Sequence, residues 1–171
     1  AQQVVTIQVT GESKPKQEIN RTTANEGDLI YVTGTIGDAA AGLRQFNPEK
    51  ELGNAYSYLV NRFFRPTARI EVGRALAGVA SAAIDISDGL YADTKKLLDA
   101  SNLGGVLNLD KIPLSDALCE LYNQKQARDL ALSGGDDYEL LFTVSPSKLT
   151  LVEGISEQYK LRITQVGKVH N

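Results

Sequence analysis

The sequence predicts one layered domain of the α/β or α+β class. Segments in which apolar and polar residues alternate, as they do in strands, are interleaved with segments of helical periodicity. The 171 residues, 42% hydrophobic and 23% charged, are enough for a single well-buried core. No internal repeat and no low-complexity segment is visible, so we do not expect a disordered chain.

The predicted elements differ in how clearly their patterns define them. The clearest helix covers 49–65, where apolar residues recur three and four positions apart until Pro66 ends the helix. The most apolar strand covers 138–144, and the helix that follows at 145–158 begins with Ser-Pro, a common start signal. In chain order, the other strands are predicted at 4–9, 28–33, 82–87, 106–109 and 162–169, and the other helices at 37–46, 69–78, 90–100 and 115–132.

Charge and composition exclude several classes of protein. The formal net charge is −3, from 18 basic and 21 acidic residues, and the basic residues are scattered, so no nucleic-acid partner is expected. The single cysteine, Cys119, cannot form an internal disulfide, which favours a packed thiol in a reducing compartment. No signal-peptide pattern and no apolar run of membrane-spanning length occurs, so we expect a cytoplasmic protein without a membrane partner.

The first of two acidic phrases covers 85–90, where a predicted strand ends in a turn. Asp85 and Ser87 share the strand face opposite the core, and Asp88 follows within reach of the same cation. Magnesium takes one or two protein carboxylates together with phosphate oxygens and water, which suits such a pair, whereas a calcium loop needs its glycine one position later. Asp88 and Ser87 also suit a helix cap and an Asp-Gly turn, so residue chemistry leaves both interpretations open.

The second acidic phrase covers 133–141 and delivers three acids directly into an apolar run. Gly134 and Gly135 predict a turn, after which Asp137 and Glu139 fall on one strand face, so Glu139 can face a cleft. Carboxylates in such a place need a positive partner, for example a divalent metal. A solvated turn before an edge strand is the alternative.

The glycine-rich stretch at 33–44 follows a strand and opens a helix, which is the usual setting of a phosphate-binding loop. It lacks the lysine of a Walker loop, and its glycines are not spaced as in the dinucleotide fingerprint. Close helix packing is therefore the favoured interpretation. The lone His170 receives no role, and neither zinc-ligand spacing nor a Ser-His-Asp triad is present, which excludes those hydrolase classes.

These motifs resemble the C-terminal half of the thiamine-monophosphate kinase family. The resemblance is carried by 21–24, 27–34, 37–43, 65–66, 83–90 and 132–143, and the Tyr-Glu-Leu-Leu-Phe tail of the second acidic phrase is its most specific part. The wider group includes aminoimidazole ribonucleotide synthetase and selenophosphate synthetase. The resemblance implies an α+β fold, a layered α/β/α domain with a mixed sheet, like the C-terminal domain of aminoimidazole ribonucleotide synthetase.

The resemblance also implies a division of the chain. Residues 1–12 would be the last strand of a missing N-terminal ATP-binding domain, and 13–171 a C-terminal α+β domain truncated at its C-terminus. The sequence agrees, because it has no methionine, opens at Ala1 in a strand-like pattern and stops at Asn171 just after another. We expect a piece of a longer protein, inactive by itself, whose intact form is a homodimer.

The activity that the resemblance implies is transfer of the γ-phosphoryl group of ATP to thiamine monophosphate, giving thiamine diphosphate and ADP, with Mg²⁺. No residue is implied to react covalently. The implied residue roles are magnesium binding by Asp85 and Asp88, nucleotide binding by Arg21 and Ser87, and substrate contact by Glu139. Asp136 and Asp137 match the family motif, and for them we predict turn support. Two alternatives stay open at this point: the C-terminal domain of another ATP-dependent relative, of the aminoimidazole ribonucleotide or selenophosphate synthetase type, or a non-catalytic metal-binding or interaction domain.

Overall fold

A computed structural model describes residues 3–12, 17–47 and 53–171, and a five-stranded sheet forms its centre. The strands occur in the order β2-β4-β1-β5-β3. Their bounds are β1 Leu29–Thr33, β2 Ala82–Asp85, β3 Gly104–Leu107, β4 Leu140–Val144 and β5 Ile163–His170.

All four strand pairings in the described chain are antiparallel. The α+β class is therefore confirmed, but the expected mixed sheet is wrong. Helices between successive strands suggested parallel crossovers, yet the spatial order places strands of opposite direction side by side throughout the sheet.

Seven α-helices accompany the sheet in the described residues. They are α1 Asp38–Gln45, α2 Asn54–Phe64, α3 Ile70–Ala75, α4 Leu90–Asp99, α5 Asp116–Leu121, α6 Gln124–Ser133 and α7 Leu149–Tyr159. The single helix predicted at 115–132 is wrong, because the Asn123 side chain caps a new helix and exchanges hydrogen bonds with Gln126 in a capping box. The first residues of the helix predicted at 49–65 lie outside the described residues.

Alternation along the strands sends apolar side chains to both faces of the sheet. Ile30 and Val32 of β1 face a core that α4 and α6 cover. Tyr31 faces a second core, covered by α3 and α7, where its ring stacks on that of Phe142 with the ring centroids 5.6 Å apart. A third apolar cluster joins α1, α2, α5 and α6 beside the sheet. The layered α/β/α arrangement is confirmed.

Two local predictions differ from the described structure. Residues 4–9 form neither strand nor helix, their apolar side chains are between 82% and 89% exposed, and no strand of the described residues pairs with them. Their place as a strand of a preceding domain stays a prediction. Cys119 is exposed on α5 rather than packed. No helix in the described part of the chain has the length and apolarity that a membrane crossing requires.

The two acidic phrases come together because of the strand directions. The C-terminal ends of β1 and β2 meet the N-terminal ends of β4 and β5, as the pairs Asp85 with Leu140 and Thr33 with Ile163 show. We call this edge the site end of the sheet. Every acid of both phrases lies at or just beyond it.

Candidate functional site

The loop after β2, which we call the acid loop, covers 85–88. A buried carboxylate fixes its backbone: Asp93 of α4 accepts hydrogen bonds from the N–H groups of Ser87 at 2.9 Å and Asp88 at 2.8 Å. The other oxygen of Asp93 accepts a bond from Lys96 at 2.8 Å, and the same ammonium group pairs with Asp88. Asp93 therefore fixes the backbone of the loop, while the side chains of Asp85 and Asp88 are exposed.

The donors of the acid loop suit a hard cation. Within the described residues, the carboxylate of Asp85 and the hydroxyl of Ser87 form no side-chain hydrogen bond or ion pair, and Asp88 pairs only with Lys96. Two carboxylates and a hydroxyl are the oxygen-only set that magnesium uses when phosphate and water complete its shell. No group of three or more His, Cys, Asp or Glu residues in the described ranges could hold a metal by itself. The residues therefore fit magnesium only as a shared ion.

The second phrase packs directly on the acid loop. The N–H of Asp136 donates to the carbonyl of Ser87 at 3.0 Å, and the N–H of Tyr138 donates to the carbonyl of Ile86 at 2.9 Å. Gly135 permits this approach, since a Cβ at that position would collide with the Ser87 carbonyl. Backbone contact thus brings Asp136 beside the acid loop.

The chain of the second phrase alternates between the surface side and the core. Asp136 and Tyr138 adopt left-handed backbone conformations with φ of 68° and 50°, while Asp137 and Glu139 are fully buried. The charge of Asp136 raises the pKa of the Tyr138 hydroxyl, with burial next and smaller contributions from Asp85 and Asp88. The negative potential of three acids therefore converges on the Tyr138 phenol.

Glu139 lies in a buried ion-pair cluster with Arg62 and Arg69. Arg69 binds its carboxylate through two nitrogens at 2.7 and 2.6 Å, Arg62 donates at 2.9 Å and the Thr33 hydroxyl donates at 2.6 Å. A side chain at Gly34 would collide with the same carboxylate. Protein groups thus already bind both oxygens of Glu139.

The positive partner of the second phrase is consequently a pair of arginines, not the metal suggested as an example from the sequence. Sequence reasoning missed Arg62 and Arg69, although one signal was available. Arg62 lies three residues after the buried Leu59, on the apolar stripe of α2, where a charged residue needs a buried partner. Substrate contact by Glu139 stays a prediction.

Asp137 supports the turn and caps a helix. Its carboxylate accepts hydrogen bonds from the N–H groups of Gly37 at 2.6 Å and Ala39 at 3.1 Å, at the start of α1. Burial raises its pKa to about 7, against the lowering effect of the two N–H bonds and with a further rise from the charge of Asp38. The support role predicted for Asp137 is confirmed.

The same contacts decide the role of the glycine-rich stretch. The N-terminus of α1 is filled by Asp137, so it offers no free place for a phosphate. Gly42 lies against α2, where a Cβ would collide with the carbonyl of Leu59. The favoured interpretation of close helix packing is confirmed.

Arg21 lies in an exposed turn beside the outer edge of β2. The carbonyl of Asn20 accepts a bond from the N–H of Ala83 at 3.3 Å, and the hydroxyl of Thr23 donates to the carbonyl of Ser81 at 2.6 Å. These bonds hold the turn near the start of β2, whose other end carries Asp85. Nucleotide binding by Arg21 stays a prediction.

Comparisons with family models, curated proteins and solved structures agree on the kind of protein that this chain is similar to. The family model described as "AIR synthase related protein, C-terminal domain" matches residues 25–171. The thiamine-monophosphate kinase of Haemophilus influenzae is 40% identical over 97% of this chain and 51% of its own length. The crystal structure of thiamine-monophosphate kinase from Stenotrophomonas maltophilia K279a matches with a TM-score of 0.86 at 39% identity, covering 91% of this chain and 51% of that one.

A further solved structure was determined with ligands. It is described as AaThiL complexed with AMPPCP and TMP, and it matches with a TM-score of 0.76 at 37% identity over 90% of this chain and 48% of that one. The chain spans about half the length of the curated relatives it matches.

Proposed function

The chain belongs to the family of AIR synthase related proteins as their C-terminal domain, and on that premise we propose that it supplies one wall of a thiamine-monophosphate kinase site. The intact protein would transfer the γ-phosphoryl group of ATP to thiamine monophosphate, giving thiamine diphosphate and ADP. Support comes from relatives that bear this name and from a relative solved with AMPPCP and TMP. Residues 1–12 would belong to a preceding ATP-binding domain and 13–171 to this one.

The observation that carries the proposal is the acid loop at the site end of the sheet. Asp85 and Asp88 would hold magnesium there, and Ser87 would contact the nucleotide phosphates. Magnesium would neutralise charge on the transferred phosphoryl group, which is the main demand of this reaction. The loop suits that task because its backbone is fixed by Asp93 while its carboxylates remain exposed.

Arg21 and the second phrase would complete this wall. Arg21 adds a fixed positive charge that would bind ATP. Glu139 would contact the thiamine substrate, with its carboxylate held in place by Arg62 and Arg69. Transfer is direct, with no phosphoenzyme, and trapping a phosphorylated residue in the intact enzyme would refute this point.

Further properties of the proposed enzyme have different support. Mg²⁺ as the metal is supported by the oxygen donors of the acid loop, a homodimer as the intact form is implied by the resemblance, and the cytoplasm stays a prediction from the sequence. The net charge of −3 supports the absence of a nucleic-acid partner.

The test is an ATP- and magnesium-dependent assay of thiamine diphosphate formation by the intact protein. The double change Asp85→Asn with Asp88→Asn should lower kcat by about 10²–10³-fold, the usual effect of removing groups that stabilise transition-state charge. Asp129→Asn is the matched control, because Asp129 is similarly exposed but lies on α6 and pairs with Lys125. Residues 1–171 alone should show no turnover. Unchanged activity of the double variant would contradict the proposed role of the acid loop.

A further inference from the structure

Lys96 lies between two carboxylates, one of which is exposed while the other is buried and fixed by hydrogen bonds. Its ammonium group donates to Asp93, whose side chain is 1% exposed, and to Asp88, whose side chain is 64% exposed. Asp93 cannot leave, because its second oxygen accepts the backbone N–H groups of the acid loop. Asp88 is a surface side chain. Of the two bonds, only the one to Asp88 can be exchanged at little cost.

The ammonium group occupies the carboxylate that the proposed function assigns to a metal. Asp85, the other assigned ligand, has no such partner among the described residues. An approaching cation can therefore bind Asp85 directly, whereas the charge of Asp88 is already neutralised by Lys96. Asp136 and the Tyr138 phenol also face this loop, but neither brings a positive charge.

We propose that Lys96 is an internal counter-ion that competes with the metal for Asp88 and so sets the metal affinity of the acid loop. The proposal rests on the proposed function, since it takes Asp88 as a ligand. When the cation binds, Lys96 gives up Asp88 and keeps Asp93. Without metal, Lys96 thus neutralises one of the two loop carboxylates, and binding has to overcome one lysine contact and the repulsion between the two cations.

The chain provides a matched control next to Lys96. Lys95 is the preceding residue on the same helix and pairs with Asp99 through an i,i+4 contact on the exposed surface. It forms no bond with the acid loop in the described structure. Both lysines have raised pKa values because of hydrogen bonds to their acids, so both carry a full positive charge at neutral pH. Removing either charge changes the net charge equally.

The test is a titration of the intact protein with Mn²⁺ in the presence of a non-hydrolysable ATP analogue. Binding is measured from the loss of the electron paramagnetic resonance signal of the free ion and is corrected for binding to the analogue alone. Lys96→Gln should lower the Kd by about three- to tenfold, since it removes an exposed ion pair and a nearby like charge while the amide can still donate to Asp93. Lys95→Gln should leave the Kd within about twofold, and Lys96→Arg should keep the wild-type value. The difference should shrink as salt is raised.

The outcomes separate this inference from the proposed function. If Mn²⁺ binding depends on Asp88 but Lys96→Gln leaves the Kd unchanged or raises it, the competition is wrong and the metal site stands. If Asp88→Asn leaves Mn²⁺ binding unchanged, the ligand role of Asp88 and the competition are both wrong, whereas the activity assay tests the phosphoryl transfer separately. Urea denaturation of each variant shows whether Lys96→Gln has kept the fold. If it has not, Lys96→Met, which removes the same charge but keeps a long side chain, takes its place in the titration with the same expected decrease in Kd.

Discussion

Two groups of acids lie at the site end of the sheet, and the protein treats them in opposite ways. Asp137 and Glu139 are fully buried, and their oxygens are bound by backbone N–H groups and by two arginines. Asp85 and Asp88 are exposed, and one lysine is their only cationic partner within the described chain. Where the fold already satisfies an acid, the acid holds the structure together. Where the fold leaves oxygens open, the acid is available for a ligand.

The largest expected effect comes from breaking the buried cluster. Arg69→Met removes the bidentate partner of Glu139 and leaves a buried carboxylate poorly compensated, so the free energy of unfolding should fall by about 3–5 kcal/mol. Urea denaturation followed by circular dichroism measures it. Arg74→Met is the control, since Arg74 lies on the nearby helix α3 in an exposed pair with Glu71 and should change stability by less than about 0.5 kcal/mol. Equal effects of the two changes would remove the distinction between the two groups.

A second effect should appear as pH dependence of stability. Burial raises the pKa of Asp137 to about 7 from an ordinary value of 3.8, so the folded state keeps a proton that the unfolded chain releases. The free energy of unfolding should therefore decrease as pH rises from about 4 to about 7 and level off above. Asp137→Asn should flatten this slope, as urea midpoints between pH 5 and pH 8 would show. An identical slope in the variant would mean that other groups cause it.

The sequence predicted most elements because their patterns are local. Strand alternation indicated β4, and the two acids that it grouped, Asp137 and Glu139, are both buried, although they precede the strand. Arg62 was noticeable on the apolar stripe of α2, but no local pattern could join it or Arg69 to Glu139, because they are 77 and 70 residues away in the chain. The antiparallel directions of the strands were not predicted for the same reason, since they depend on which distant strands become neighbours.

The site was predicted unevenly for a related reason. The motif in the acid loop is continuous, so Asp85, Ser87 and Asp88 could be proposed together from one stretch of sequence. Within the second phrase, the sequence could not say which of the alternating acids faces the core. Left-handed residues at Asp136 and Tyr138 decide that, and they follow from backbone contacts with the acid loop.

The smallest expected effect on stability comes from the acid loop itself. Asp85→Asn together with Asp88→Asn removes two exposed charges and one surface ion pair, so the free energy of unfolding should stay within about 0.5 kcal/mol of the wild-type value. Relief of repulsion from the nearby Asp136 acts in the stabilising direction. The same changes in the intact protein should weaken Mn²⁺ binding measured in the presence of a non-hydrolysable ATP analogue. Loss of metal binding without loss of stability is the pattern of a ligand-binding acid, whereas a drop comparable to that of Arg69→Met would show that the exposed acids also maintain the fold.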